Sequence, residues 1–148
     1  MSSQFEHVVL RQQQDFQFEI DFGEGRPTVL GDLHAPMGQG RGPTPEQLLA
    51  AAVGNCLSDS LLFALRKYKQ APEPIQTKVS AEVGRNAENR ARVLALKAEI
   101  TLGVPAEKLE NLQRVLDQFE AFCTVTQSVA QGIPVSLEVW DSTGKKLK

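Results

Sequence analysis

At 148 residues, 41% of them hydrophobic and 23% charged, the chain is long enough for one domain with its own core, without disulfide staples. Its 16 basic and 18 acidic side chains leave a net charge of −2, which provides neither the basic face needed for nucleic acid nor an acidic tail. The N-terminal MSSQFEHVVLRQQQ has no apolar segment of the secretory kind, and no run approaches about 18 consecutive apolar residues, so a soluble cytoplasmic protein without a membrane-spanning helix is expected.

The first third predicts strands. Val8 and Leu10 alternate with polar neighbours, as do Phe16, Phe18 and Ile20, with a turn over Gln12 to Asp15. GEGRP (23–27) is a second turn before a short strand at Thr28–Leu30, and an irregular stretch runs from Gly31 to Pro43. A long helix then starts at Thr44-Pro45, where Thr44 and Gln47 form a capping box, and is expected to reach about Lys69. It is apolar nearly all round, which predicts burial on most sides, among strands and against a second copy of the chain.

Strands over residues 77–83 and 94–102 follow, joined by the polar hairpin 84–91. A second helix is expected from Pro105, with the stripe Leu109, Leu112, Val115, Leu116 and Phe119 at helical spacing. Cys123 ends it or opens a short helix over Thr126–Gln131; a last strand takes Ile133 to Val139, and residues 141–148 read as a polar tail. The order predicts an α+β class with antiparallel hairpins. A single domain spans 1–148: strands and a Gly-rich loop to residue 43, a helix-hairpin-helix-strand body over 44–140, then the tail.

Chemistry narrows to the thiols. The glycines of GQGRG (a run closing at Gly42) precede a helix, yet Pro43 and Pro45 remove the backbone donors a phosphate would need, so a flexible loop is expected there. His7 and His34 have no ligand neighbours at a usable spacing, so no metal site is assigned, and no cofactor. Cys56 and Cys123 lie 67 residues apart, which fits no zinc motif. They are either two inert buried thiols or a redox pair. Cys56 sits too far into the helix for the N-terminal dipole to reach, so a reactive Cys56 would need a nearby cation. Glu46 lies ten residues before it, about 15 Å along a straight helix, too far to cooperate within one chain.

Two motifs carry a resemblance. Pro45-Glu46-Gln47-Leu48 with Cys56 ten residues after the glutamate, and Cys123-Thr124-Val125-Thr126-Gln127-Ser128 followed by Gly132-Ile133-Pro134-Val135, resemble the OsmC/Ohr family of osmotically induced and organic hydroperoxide resistance proteins. The AAVGNCL segment around Cys56 is similar to an uncharacterised OsmC-like branch. The resemblance implies an OsmC-like fold, antiparallel sheets around a long buried central helix, in an intertwined homodimer. It implies a peroxidatic thiol at Cys56, a resolving thiol at Cys123, a Cys56–Cys123 disulfide, and Glu46 acting across the dimer. An external dithiol would then restore both thiols. Leu57, Phe63, Phe119 and Phe122 would line an apolar pocket for organic hydroperoxides, or simply pack in the core. Two departures stand out: Thr124 replaces the family's usual proline, and the arginine that stabilises the thiolate has no recognisable motif here. Arg41 is the nearest in sequence to Glu46. The alternative function is a dimeric small-molecule-binding protein with incidental thiols; a third is a thiol enzyme of sulfur metabolism.

Overall fold

The computed structural model describes residues 2–148, which fall into two compact units divided between Leu48 and Leu49. In the first unit, β1 (Val9–Gln14), β2 (Gln17–Asp21) and β3 (Val29–Gly31) form an antiparallel sheet in that order. The β1–β2 turn tightens to Asp15-Phe16, with Asp15 at φ 48°. Register pairs Leu10 with Ile20 and Gln12 with Phe18, so Leu10, Phe18 and Ile20 share one face. Arg11 and Asp21 meet on the other face at 3.0 Å.

The loop expected to be flexible is wound around a buried carboxylate. Asp32 accepts the N–H groups of Leu33 (2.7 Å), Gln39 (3.2 Å) and Arg41 (3.0 Å). These bonds, the Arg41 N–H first, hold its carboxyl below the usual range despite burial. Gly42 is obligatory in this loop, because a Cβ there would overlap the Leu30 carbonyl oxygen. The capping box forms as expected: Thr44 N–H donates to Gln47 Oε1 (3.0 Å) and Gln47 N–H to Thr44 Oγ1 (3.3 Å).

The long helix α1 (Pro45–Lys67) continues into the second unit. It stops two residues short of the expected end because Lys69 turns left-handed at φ 59°. Gln70 N–H then reaches Leu65 O (3.0 Å) and Lys69 N–H reaches Arg66 O (2.8 Å), a Schellman closure without glycine. Its near-continuous apolar composition, mean hydropathy 1.7, would by length and composition suit a bilayer. Within the chain one stripe is buried: Ala50, Val53, Gly54, Leu57, Leu61 and Leu65, the spacing of a core helix.

That stripe joins Leu96, Ala98, Ile100, Leu102, Leu116, Phe119 and Val139 in the core of the second unit. The sheet there is β4 (Gln76–Arg85), β5 (Ala91–Thr101) and β6 (Val135–Trp140), in that order. The β4–β5 hairpin is antiparallel, but β6 runs parallel to β5. This departs from the expected antiparallel sheets; the long helical crossover after β5 makes the parallel return possible. Gly54 lets α1 lie close against β4, where a Cβ would stand 2.7 Å from Val79 Cγ2. One turn on, Ser58 Oγ and Thr77 Oγ1 share a hydrogen bond at 2.6 Å.

The expected second helix is broken into a 3-10 turn (Ala106–Lys108), α2 (Leu112–Gln118) and a second 3-10 turn (Phe119–Phe122); Asn111, left-handed at φ 58°, separates the first turn from α2. α3 follows at Thr124–Val129. The expected polar tail is folded back. Buried Asp141 accepts N–H bonds from Ala106 (2.9 Å), Thr143 (2.9 Å) and Lys145 (3.0 Å), and these push its carboxyl well below the usual range. Leu147 N–H bonds Val139 O at 2.7 Å, and Lys148 Nζ reaches Leu116 O at 2.6 Å.

Candidate functional site: a buried thiol pair

Cys56 lies midway along α1, and Cys123 occupies the N-cap position of α3. The fold brings them into hydrogen-bonding reach across 67 residues of sequence, and both are free thiols. Their surroundings differ. Cys56 is half-buried, whereas Cys123 is completely enclosed, at 0% exposed.

Burial is the largest influence on Cys56 and opposes its ionisation. It is outweighed by the donors near the sulfur that favour the thiolate: first the Cys123 thiol, then the backbone N–H groups of Thr126 and Val125, then the Thr126 hydroxyl. The net effect lowers the Cys56 pKa below that of an ordinary cysteine. Cys123 is pushed the other way, first by burial and then by the Cys56 thiol; the hydroxyls of Thr126 and Ser60 offset this only in part. One thiol is thus primed to ionise and its neighbour to keep its proton. Within the chain, the leading influences that favour the Cys56 thiolate are uncharged hydrogen-bond donors around α3.

Thr126 joins the two halves. The Cys123 thiol donates to Thr126 Oγ1 at 3.0 Å, and the Thr126 hydroxyl donates to Val53 O on α1 at 3.5 Å. Cys123 has a single proton, so it can serve Thr126 or the Cys56 sulfur at any moment, but not both.

The remaining candidates divide. Phe63, Phe119 and Phe122 line one cavity of about 430 Å³, together with Ser60, Ala64, Lys67 and Tyr68. Phe63 and Phe122 stand at its mouth, 74% and 79% exposed, with Phe119 at its base. Ser60 lines this cavity and also favours ionisation of the Cys123 thiol, so the cavity lies beside the thiol pair at this hydroxyl. Leu57 is absent from the lining; it is fully enclosed and packs in the core. Glu46 and Arg41 belong to the first unit. Glu46 is half-buried on the opening turn of α1, and Arg41 is exposed on the Asp32 loop. Among the described residues no cluster of His, Cys, Asp or Glu has the makings of a metal site.

Sequence reasoning passed over Thr126 and Ser60. Each left a trace: a hydroxyl three residues after Cys123, and a serine four residues after Cys56, in the polar interruption Ser58-Asp59-Ser60 of a mostly apolar helix.

An α+β fold that sets a thiol lowered in pKa on a long central helix beside a shielded one at the start of a short helix defines a dithiol protein. The chain belongs to the OsmC-like protein family, whose pattern matches residues 38–138. Among solved structures it is similar to an OsmC-like protein of unknown function from Vibrio cholerae (15% identity, TM-score 0.77, covering 93% of this chain and 99% of that one). It is also similar to the organic hydroperoxide resistance protein OsmC from Legionella pneumophila (13%, TM-score 0.70, 93% and 98%). A third is the organic hydroperoxide resistance protein OhrB from Bacillus subtilis (15%, TM-score 0.67, 90% and 96%). No curated protein matches the chain.

Proposed function

We propose that the protein is a thiol-dependent peroxidase that reduces organic hydroperoxides. The observation that carries this reading is the asymmetry of the pair, an accessible thiol that ionises easily beside an enclosed one that does not. The Cys56 thiolate attacks the peroxide O–O bond, giving an alcohol and a Cys56 sulfenic acid. Cys123 condenses with it, releasing water and forming a disulfide, which an external dithiol reductant then opens. The apolar cavity beside Ser60 accommodates the organic part of the substrate. Recycling by a dithiol suits a reducing compartment, and we place the protein in the cytoplasm. One equivalent of tert-butyl hydroperoxide should consume both thiols of the chain and yield a Cys56–Cys123 disulfide on peptide mass spectrometry. Loss of one thiol only, or intermolecular disulfides instead, would count against the scheme.

The working form we infer is a homodimer. All six residues of β1 are exposed, Phe5 is 81% exposed, and Phe16, Phe18 and Phe22 are uncovered beside them, an apolar surface that a second copy would bury. In that dimer Glu46 and Arg41 act on the partner's Cys56, since ten helical residues separate Glu46 from its own by about 15 Å. Mixed dimers of Cys56→Ser with Glu46→Gln chains test this. They should regain activity in the one site where Cys56 and Glu46 are both intact. Action within a single chain leaves such mixed dimers without any site that has both groups.

A further inference from the structure

The resolving step has a proton problem that the peroxidase reading leaves open. Cys123 must lose its proton as its sulfur attacks, yet it is 0% exposed and its burial resists ionisation. Bulk water cannot reach it to serve as base. The leaving oxygen on Cys56, for its part, needs a proton to depart as water.

We propose that Thr126 relays that proton; the proposal rests on the peroxidase reading above. Thr126 is 5% exposed, and its hydroxyl is the acceptor of the Cys123 S–H at 3.0 Å. Its own proton is directed at Val53 O over 3.5 Å, a length at which the bond is weak and the hydroxyl turns easily. The same hydroxyl lies near enough to the Cys56 sulfur to favour its ionisation, and its one proton can turn from Val53 O toward the oxygen leaving Cys56. A valine in its place would fill the same volume and do neither.

In the relayed step the S–S bond forms as the S–O bond of the Cys56 sulfenic acid breaks. The electron pair of the Cys123 S–H bond enters the new disulfide, and the S–O pair leaves with oxygen. The Cys123 proton passes to Thr126 Oγ1, and the Thr126 proton passes to the departing hydroxide, which leaves as water. Cys123 is oxidised, the Cys56 sulfenic sulfur is reduced, and Thr126 ends as it began. The exchange needs no other reactant.

The relay is tested on the full chain with Thr126→Val and Thr126→Ser. Reduced protein is mixed with tert-butyl hydroperoxide, quenched at intervals, and scored for Cys56 sulfenic acid and for disulfide. Because resolution is unimolecular, it is read separately from the peroxide step. Thr126→Val should accumulate sulfenic acid and form disulfide about 10²-fold more slowly, while Thr126→Ser resolves within about threefold of wild type. Disulfide formation in Thr126→Val at the wild-type rate overturns the relay. Should Thr126→Val fail to fold, the wild-type resolution rate in deuterium oxide decides. A clear slowing supports proton transfer through the hydroxyl, and an unchanged rate overturns it. Absence of any Cys56 oxidation in the wild-type chain overturns the peroxidase reading, and the relay with it.

Discussion

Cys56→Ser is expected to reduce hydroperoxide turnover to the background rate, and Cys123 is not expected to take over. A serine hydroxyl does not ionise near neutral pH, and Cys123 is both fully enclosed and held protonated by burial. Cys123→Ser should behave differently. It retains a single stoichiometric reaction and stops at a sulfenic acid, because Cys56 remains intact while the resolving thiol is gone. Cys123 also shapes the pH dependence. The reactive species is the thiolate, so the rate of the first step rises with pH through the Cys56 pKa. With the surrounding donors in place, that midpoint is lowered from the ordinary cysteine value. Cys123→Ala, which unlike serine leaves no donor there, removes the largest influence favouring the thiolate, so in that variant the midpoint moves up and the neutral-pH rate falls. Rate–pH profiles of the cysteine variants measure both effects; a Cys56→Ser chain that still turns over would place the chemistry elsewhere.

Leu57→Ala is expected to cost about 2–5 kcal/mol of stability while leaving the KM for hydroperoxide unchanged. Leu57 neighbours Cys56 in sequence, but its side chain points into the core that Leu61, Leu96 and Ile100 share, with no exposed surface. Truncation removes buried methyl groups and leaves a void that the surrounding helix and sheet fill only partly. Phe63→Ala is the counterpart. Phe63 is 74% exposed at the mouth of the cavity, so its loss should change stability by less than about 0.5 kcal/mol and raise KM. Urea unfolding and steady-state kinetics on the two variants separate packing from substrate contact. A Leu57→Ala protein of unchanged stability and raised KM would move that residue back into the pocket.

Much of this was readable from residue order, and the remainder has identifiable causes. Thr44, Pro45 and Gln47 mark the helix start because capping is local chemistry, and both capping bonds form. Alternation in 77–83 and 94–102 marks the hairpin for the same reason. The ends of helices were harder. Lys69 and Asn111 adopt left-handed backbone where the sequence has no glycine, a choice made by the surrounding packing. Alternation also says nothing of direction, so the parallel entry of β6 was hidden. Asp32 and Asp141 looked like ordinary loop acids. Their burial depends on backbone donors that only the folded chain supplies, Ala106 lying 35 residues from Asp141.

The site followed the same pattern. The two cysteines were visible as residues and as motifs. The uncharged donors around Cys56 had no signal in residue order. Thr126 and the N–H groups beside it act through hydrogen bonds that exist only where α3 meets α1.

The most direct test of the account is stopped-flow mixing of reduced wild-type protein with cumene hydroperoxide at neutral pH. The account predicts rapid loss of the Cys56 thiolate, far faster than for free cysteine, followed by a slower concentration-independent phase as the disulfide closes. Thiol loss no faster than that of free cysteine would contradict it.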